Sequence, residues 1–424
     1  MAEFLFATWD GGGLLPPELS VARALAARGH TVRMVADAVL GEEIRAAGIA
    51  HVPWATAPQR TDPSPRAAVA RDWEARTAAG GLRAAIDGVW CGPAARYADD
   101  VRAEILRRRP DVVVSSGMLF GAQVAARAAG VPLATLHPNP VSAPGWGVPP
   151  LGPGWRPRGG PFGRLRDAIG GAMVHRLFGH GLPALNAARA AYGLAPLRRT
   201  ADQLTDVDRA LILTGTAFEY PGFAPPAMVR VVGPRLDDPG WAGPVPPLEG
   251  EGPLVLVALS STYMRQEALL GRVAAALGTL PVRGLITTGP AVDPAGISAP
   301  PNVTVVRAAP HAAVLPRAAA VVTHAGHGTV IKALAAGVPV VCIPMGRDQA
   351  ENAARAVAAG AGVRLRPRAG TPAVARAVRR VLDDGRHRAA AARLGEALRR
   401  EAAEDRAVVE LEALARVPSR VAVA

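Results

Sequence analysis

Short apolar runs alternate with longer segments of helical periodicity through both halves of the chain. In the first half the apolar runs are 4–8, 31–35, 111–115 and 131–136. In the second half they are 254–259, 283–287, 303–306, 320–323 and 338–343. Alternation of buried strands with helices is typical of parallel sheets that are covered on both faces. The pattern therefore predicts an α/β protein built from two successive Rossmann-like units.

A segment rich in proline and glycine separates the two units. Residues 233–253 contain these two residue types at a density that excludes a helix or a central strand. We therefore predict a first domain at 1–235, a linker at 236–252, a second domain at 253–388 and closing helices at 389–424.

A second irregular region, 138–163, follows a predicted strand of the first domain. It contains Trp146 and Trp155 among many Pro and Gly residues. Long loops beyond the carboxyl ends of strands are where open α/β sheets bind ligands. Two interpretations stay open, because such a region can form part of a ligand pocket or can be an ordinary surface loop.

Composition limits the classes of protein. Half of the 424 residues are hydrophobic and 20% are charged, which suffices for two separate cores. The two cysteines, Cys91 and Cys342, cannot form a disulfide framework, and neither has a second Cys or a His at metal-ligand spacing. We expect both to be buried and reduced. No segment has the pattern of a signal peptide or a membrane span, which predicts a cytoplasmic protein.

The net charge of +13 raises the question of nucleic-acid binding. The positive residues are almost all Arg, with Lys332 the only lysine, and they are scattered through Ala-rich segments. Nucleic-acid-binding proteins cluster their basic residues, interleave aromatic ones and carry a recognisable module. We therefore predict no nucleic-acid partner.

The segment 321–334 has the pattern of a buried strand, a tight glycine turn and a helix that begins near His327. A helix N-terminus attracts anions, and Gly326 and Gly328 have no side chains to keep a phosphate away. His324 and Thr329 add side-chain donors. The pattern predicts a diphosphate site, although a glycine turn of this kind is by itself often simple turn chemistry.

The next strand, 338–344, leads into a loop at 345–349. Asp348 and Gln349 in this loop are suited to bind sugar hydroxyls. Together these segments resemble the UDP/dTDP-glycosyltransferase family, whose nucleotide-sugar-dependent enzymes have the GT-B fold and include actinobacterial natural-product glycosyltransferases. The resemblance covers essentially the whole chain and is most specific from 285 to 365.

The resemblance implies two Rossmann-like domains that face each other across a cleft. The nucleotide would lie in the second domain and the acceptor in the first, with the closing helices crossing back to the first domain. The implied reaction is an inverting, metal-independent transfer of a sugar or deoxysugar from a dTDP- or UDP-sugar to a hydrophobic small-molecule aglycone. No cofactor is implied. A homodimer or an auxiliary activator protein is a further expectation.

The implied donor site lies in loops at the carboxyl ends of second-domain strands. Its members are Ser260, Ser261, Thr288, Ala309, His311, His324, Gly326, His327, Gly328, Thr329, Asp348 and Gln349. Ala309 and His311 would approach the base, His324 and the glycine turn the diphosphate, and the loop at 345–349 the sugar.

Two departures from the family concern the catalytic base. Relatives carry a histidine in the first strand-helix turn and an acidic partner after a later strand, and Gly13 and Ser116 occupy these positions. The remaining candidates at strand ends of the first domain are Asp10 and His137. Asp10 can alternatively cap a helix or hold the glycine turn, and His137 can be a structural histidine. An acidic acceptor or an activating partner protein would make either base unnecessary.

Two further departures concern the donor. Ala308 stands where many relatives place an aromatic residue that stacks on the base, and Lys332 stands where many place a Glu that binds the ribose. A 2′-deoxyribose donor such as a dTDP-sugar would not need that Glu. Alternatively, Lys332 is simply exposed on its helix.

Other functions compete with this interpretation. The absence of the catalytic histidine and its acidic partner favours a sugar-nucleotide epimerase or a nucleotide-binding partner protein without transfer activity. Gly11-x-Gly13 and Asp37 suit a nicotinamide-dependent oxidoreductase, although Pro16 occupies the place of the third glycine of that fingerprint. Asp206-Val-Asp208 is similar to a metal motif of another glycosyltransferase fold, but a solvated turn is the simpler interpretation.

Overall fold

The computed structural model describes residues 1–143, 145–247 and 250–417, in which two parallel sheets are the main elements. The first sheet contains β1 Glu3–Ala7, β2 Thr31–Ala36, β3 Ala50–Pro53, β4 Val112–Ser116, β5 Leu133–His137, β6 Arg209–Ile212 and β7 Val229–Val231. The second contains β8 Leu254–Ala258, β9 Arg283–Thr287, β10 Val303–Val306, β11 Ala318–Thr323, β12 Val340–Cys342 and β13 Gly362–Arg364. The predicted α/β architecture with two Rossmann-like units is confirmed.

Helices cover both faces of each sheet. Those of the first unit are α1 Leu15–Ala27, α2 Gly41–Ala46, α3 Ala78–Ala85, α4 Ala94–Arg107, α5 Phe120–Ala128, α6 Gly160–Gly179 and α7 Leu182–Ala191. Those that follow are α8 Glu267–Leu277, α9 His311–Val314, α10 His327–Ala335, α11 Gln349–Ala358, α12 Thr371–Asp383, α13 Gly385–Ala403 and α14 Arg406–Ala415. The predicted irregular region 138–163 is four residues too long, because α6 already begins at Gly160 with a proline in its first turn.

The burial of the central strands is typical of a parallel sheet. Every residue of β4, β5 and β8 is buried, as expected for strands that are covered by helices on both faces. Local signals then fix the first crossover. Prolines occupy the start of α1, and Gly29, with φ +84°, follows its end.

Both sheets reverse their strand order at one point. The orders are β3-β2-β1-β4-β5-β6-β7 and β10-β9-β8-β11-β12-β13, so the reversals lie between β1 and β4 and between β8 and β11. Ligands of open α/β sheets bind at such switch points, beyond the carboxyl ends of the strands. The loops after these four strands are therefore where a site is expected.

The last two helices join the two units. Helix α13 packs on α10, where a Cβ atom on Gly395 would overlap the carbonyl oxygen of Leu334. At Asp405, with φ +50°, the chain turns into α14, whose Val408 and Leu411 enter the core of the first sheet. Among the described residues, no helix is long and apolar enough to cross a membrane.

Candidate functional site

The N-terminus of α10 lies at the switch point of the second sheet. Gly326 caps the helix after Ala325, which has φ +70°, and the first intrahelical donor is Val330, whose amide bonds to Gly326 O at 3.1 Å. The amides of residues 327–329 precede that bond and point out of the helix. A Cβ atom on Gly328 would meet nothing within 4 Å. The turn therefore offers an anion open space and three amides that point outward.

His324 stands at the end of β11 beside this turn. Its ring is packed so closely on Gly326 that a Cβ atom there would lie 2.5 Å from Nε2. Burial, reinforced by the Arg347 cation, lowers the pKa of His324 to about 4. The imidazole is thus neutral at neutral pH and can donate one N–H without carrying a charge.

The side chain of His327 contacts residues of the first unit. Its Nε2 lies 3.0 Å from Thr214 Oγ1, and its ring packs edge-on against Phe218 at a centroid distance of 6.2 Å. Burial lowers the pKa of His327 to about 3. Both partners belong to the first unit, so the side chain joins the two units and only the backbone amide faces the turn.

Two further loops approach the same switch point. Ser260 Oγ lies 3.0 Å from Thr262 Oγ1, and Thr288 Oγ1 donates to Val292 O at 2.8 Å, so each side chain fixes its own loop. A Cβ atom on Gly289 would lie 3.3 Å from the Cα atom of Ser261, which places the two loops side by side. Contacts of Ser260, Ser261 and Thr288 with a donor stay predictions.

Asp348 and Gln349 form the start of α11. Gln349 Oε1 accepts the amide of Met345 at 2.7 Å, and its Nε2 lies 3.3 Å from Met264 Sδ. Asp348 Oδ2 accepts Asn352 Nδ2 at 2.8 Å. Asn352 Nδ2 also donates to Ala325 O at 3.0 Å, which links this loop to the glycine turn. The two predicted sugar-binding residues therefore sit in a loop that is fixed relative to the diphosphate turn.

Lys332 is not simply exposed on its helix, and that alternative is wrong. Its Nζ lies 3.1 Å from Asp238 Oδ1, and the two side chains are 11% and 15% exposed. Asp238 Oδ2 also accepts the amide of Ala312, at 2.9 Å. His311 lies near both Lys332 and Asp238. Burial and the positive charge of Lys332 lower the pKa of His311 to about 4, against the opposing effect of Asp238. With the buried Ala309, these residues form a polar pocket wall where the base and ribose are expected.

Asp10 lies in the loop after β1, opposite the second unit. Its Oδ2 is 2.5 Å from Arg60 Nη1, and its Oδ1 accepts the amide of Gly12 at 3.2 Å. A Cβ atom on Gly12 would overlap the side chain of Thr262. The loop of Asp10 thus touches a predicted donor loop, and the carboxylate also holds the glycine turn.

His137, the other candidate base, is 4% exposed at the end of β5. Its Nε2 lies 3.0 Å from Thr135 Oγ1, and its ring fills the space above Gly117. Burial lowers the pKa of His137 to about 4. The interpretation of His137 as a structural histidine accounts for these contacts, and its role as a base stays a prediction.

A buried carboxyl group at the first switch point was missing from the sequence-based site. Ser116 Oγ donates to Glu18 Oε1 at 2.6 Å and lies 2.9 Å from Thr8 Oγ1. Burial raises the pKa of Glu18 to about 7, against the smaller opposing effect of its hydrogen bonds. The signal was present in the sequence, because Glu18 lies on the apolar face of α1 with Leu15, Leu19 and Leu25.

Replacing Glu18 with glutamine should make the protein relatively more stable at high pH. The folded carboxyl, with a pKa of about 7, binds its proton more tightly than the unfolded one, with a pKa near 4.5. Stability from this group is therefore full below pH 4.5 and is lost as the pH rises to 7. The amide side chain that E18Q introduces does not titrate, so the variant should gain about 3 kcal/mol over the original protein between pH 4.5 and 8.

Urea unfolding at the two pH values measures this difference. The matched control is E42Q, which changes an exposed glutamate of α2 and should give equal shifts at both pH values. A constant difference between E18Q and the original protein would show that Glu18 is ionised in the folded state at neutral pH.

The acidic pair of the sequence motif at 206–208 is structural. Asp206 Oδ2 lies 2.7 Å from Arg189 Nη1, and Asp208 Oδ2 lies 3.1 Å from Arg127 Nη1 and 2.9 Å from the amide of Leu133 that it accepts. Within the described residues, no group of three His, Cys, Asp or Glu side chains could hold a metal ion. As expected, the motif lies in a turn before β6, and its two carboxylates are paired with arginines.

Comparisons with known proteins bear on the whole chain. Residues 277–414 match the family described as Erythromycin biosynthesis protein CIII-like, C-terminal domain. The 4'-demethylrebeccamycin synthase of Lentzea aerocolonigenes is 32% identical over 404 residues, which make up 93% of this chain and 94% of that protein. CalG4, the calicheamicin glycosyltransferase, superposes with a TM-score of 0.74 at 24% identity, over 98% of this chain and 99% of its own. The glycosyltransferase VinC, solved in complex with dTDP, superposes with a TM-score of 0.64 at 20% identity, over 97% and 99%.

Proposed function

The chain belongs to the natural-product glycosyltransferases of the GT-B fold, and on that premise we propose that it transfers a sugar from a dTDP- or UDP-sugar to a hydrophobic small-molecule aglycone. We propose further that the anomeric configuration is inverted and that no metal ion takes part. Membership in this family argues against the oxidoreductase alternative. The acid which that alternative required, Asp37, accepts the amide of Asp10 at 2.9 Å.

The observation that carries the proposal is that the switch points of the two sheets lie opposite each other. The loop of Asp10 touches the loop of Thr262, so the carboxyl ends of the two sheets face each other across one cleft. The diphosphate would lie at the amides of residues 327–329, beside the neutral imidazole of His324. These groups favour the negative charge that develops on the leaving diphosphate, which is the role a metal ion plays elsewhere.

The base on the acceptor side is proposed to be Asp10. Its carboxylate lies in the loop after β1 that touches the Thr262 loop of the second domain, and it is paired with Arg60. In the reaction, an oxygen or nitrogen of the acceptor attacks the anomeric carbon from the side opposite the diphosphate. The bond to the diphosphate breaks with its electron pair, the acceptor proton passes to Asp10, and the transition state is oxocarbenium-like.

The Lys332–Asp238 pair supports a preference for dTDP over UDP. A ribose with two hydroxyl groups would need a free carboxylate, whereas the carboxylate here is held by a lysine at 3.1 Å. A deoxyribose lacks the 2′-hydroxyl and makes no such demand. That the structurally similar VinC was solved with dTDP agrees with this proposal.

A transfer assay tests the proposed function. The protein would be incubated with dTDP- or UDP-sugars and with phenolic, polycyclic and macrolide acceptors, in the presence of EDTA. We expect a glycoside and free nucleotide diphosphate in equal amounts, faster turnover with the dTDP-sugar, and a product whose anomeric configuration by NMR is opposite to that of the donor. Loss of turnover in EDTA with recovery on adding Mg²⁺ would contradict the metal-independent mechanism. An epimerised donor without glycoside would support the epimerase alternative.

A further inference from the structure

A loop of the first domain is bonded to the donor helix of the second. We call residues 145–155 the tryptophan loop, because they contain Trp146 and Trp155. The amides of Gly152 and Gly154 both donate to one carboxylate oxygen, Glu351 Oε1, at 2.9 and 2.7 Å. Glu351 lies in the first turn of α11, two residues after the predicted sugar-binding residue Gln349. The loop thus reaches across the cleft to the element that would hold the donor sugar.

The approach of the loop to α11 depends on glycine at position 154. Gly154 has φ +63°, which residues with a Cβ atom rarely adopt. A Cβ atom there would also overlap the backbone carbonyl of Ala350. The backbone of the loop therefore lies directly against the first turn of α11, and any larger residue would push it away.

Glu351 is held in place by a buried group of charges. Its Oε2 lies 3.3 Å from Arg355 Nη1, and Arg355 Nη2 lies 2.8 Å from Glu219 Oε2, with all three side chains 2–3% exposed. The guanidinium also lies over the ring of Tyr220, 4.6 Å from its centroid. Buried ion pairs contribute little net stability because desolvation offsets their attraction. A group that is so fully buried is better explained by the geometry it imposes, which here is the position of Glu351.

The other end of the tryptophan loop rests on the first domain. The amide of Ala224 donates to Trp146 O at 2.9 Å, and Trp146 packs on Phe223 with centroids 6.1 Å apart. Because Glu219 and Tyr220 belong to the same segment, the loop, this segment and α11 form one connected unit. Asn352, one residue after Glu351, links this unit to the diphosphate turn through Ala325 O.

We propose that Glu351 is a positioning residue for the acceptor: it holds the tryptophan loop against the donor helix, so that the acceptor pocket is complete only when the second domain is seated on the first. This inference rests on the proposed function, which places the acceptor in the first domain, and on the interpretation of the loop after β5 as part of the acceptor pocket. Glu351 acts through the loop and does not touch the reacting atoms.

The kinetic test compares three variants of this contact with one control. E351A and G154A should raise the KM for the acceptor at least 10-fold and change kcat and the Kd for dTDP by less than 3-fold. E351Q keeps an oxygen that accepts both amides but turns its NH2 group toward Arg355, so it should restore the KM in part, to at least 3-fold below that of E351A. The matched control is G160A, because Gly160 also has a positive φ, +80°, but a Cβ atom there would meet nothing within 4 Å. Equal effects of G154A and G160A on the KM would overturn the proposal.

A second measurement does not depend on transfer activity. Hydrogen exchange of the peptide that contains residues 152–154 should be slow in the original protein and in E351Q, and at least 10-fold faster in E351A. Exchange that is the same in all three would overturn the contact itself. If exchange behaves as expected but no acceptor is glycosylated by any form of the protein, the proposed function fails while the link between loop and helix stands.

Discussion

Replacing Asp10 with asparagine should lower kcat by about 10²- to 10⁴-fold, the range that a positioned general base contributes. Asparagine has nearly the same shape and keeps an oxygen for the amide of Gly12, which Asp10 accepts at 3.2 Å. It cannot take up a proton from the acceptor. The donor turn lies in the other domain, so the Kd for dTDP should change by less than 3-fold. Steady-state kinetics and titration calorimetry measure the two quantities.

The control for this prediction is the other candidate base. His137→Gln retains a polar group beside Thr135 and should leave kcat within about 5-fold of the original, because His137 is buried and already partnered. The opposite pattern, a large loss with the His137 variant and little with D10N, would assign the base to His137. Full activity of both variants would favour an acceptor that ionises by itself or a partner protein that activates it.

The strand-turn-helix geometry of the candidate donor site could be predicted because its main signals are local. His324, Gly326 and Gly328 belong to one strand-turn-helix unit, whose geometry follows from residues within a dozen positions of one another. The apolar periodicities likewise sufficed for the two sheets, since fully buried parallel strands need no partner to be recognised. The local pattern does not predict which way a side chain points. His327 is an example, because its side chain contacts Thr214 of the first unit.

Contacts between distant segments could not be predicted in this way. Lys332 meets Asp238, and Arg347 meets Asp72 with Nε 2.7 Å from Oδ2, across separations that only the folded chain closes. Because no pattern within one sequence pairs such residues, the contact of Lys332 with the carboxylate of Asp238 was missed. Glu18 was different, since a carboxyl group on an apolar helix face predicts a buried and partnered acid.

Replacing His324 with alanine should lower kcat by about 10²-fold or more, as the loss of one donor to developing negative charge does in other enzymes. The ring lies against Gly326 at the start of α10, and we propose that an N–H of this ring bonds to the departing diphosphate. Because burial lowers the pKa of His324 to about 4, the free enzyme carries the neutral form from pH 6 to 9, and the loss should be the same across that range.

H324Q separates donation of a hydrogen bond from positive charge at this position. An amide N–H can replace the neutral imidazole N–H but cannot become a cation. If donation is the role, H324Q should retain at least 10-fold more activity than H324A at pH 7.5, and both variants should still bind dTDP through the amides of α10. If H324Q is as slow as H324A, or if the effect of H324A disappears above pH 8, a protonated His324 stabilises the leaving group instead. Turnover of H324A within 3-fold of the original would remove His324 from the mechanism and leave the helix N-terminus alone to stabilise the diphosphate.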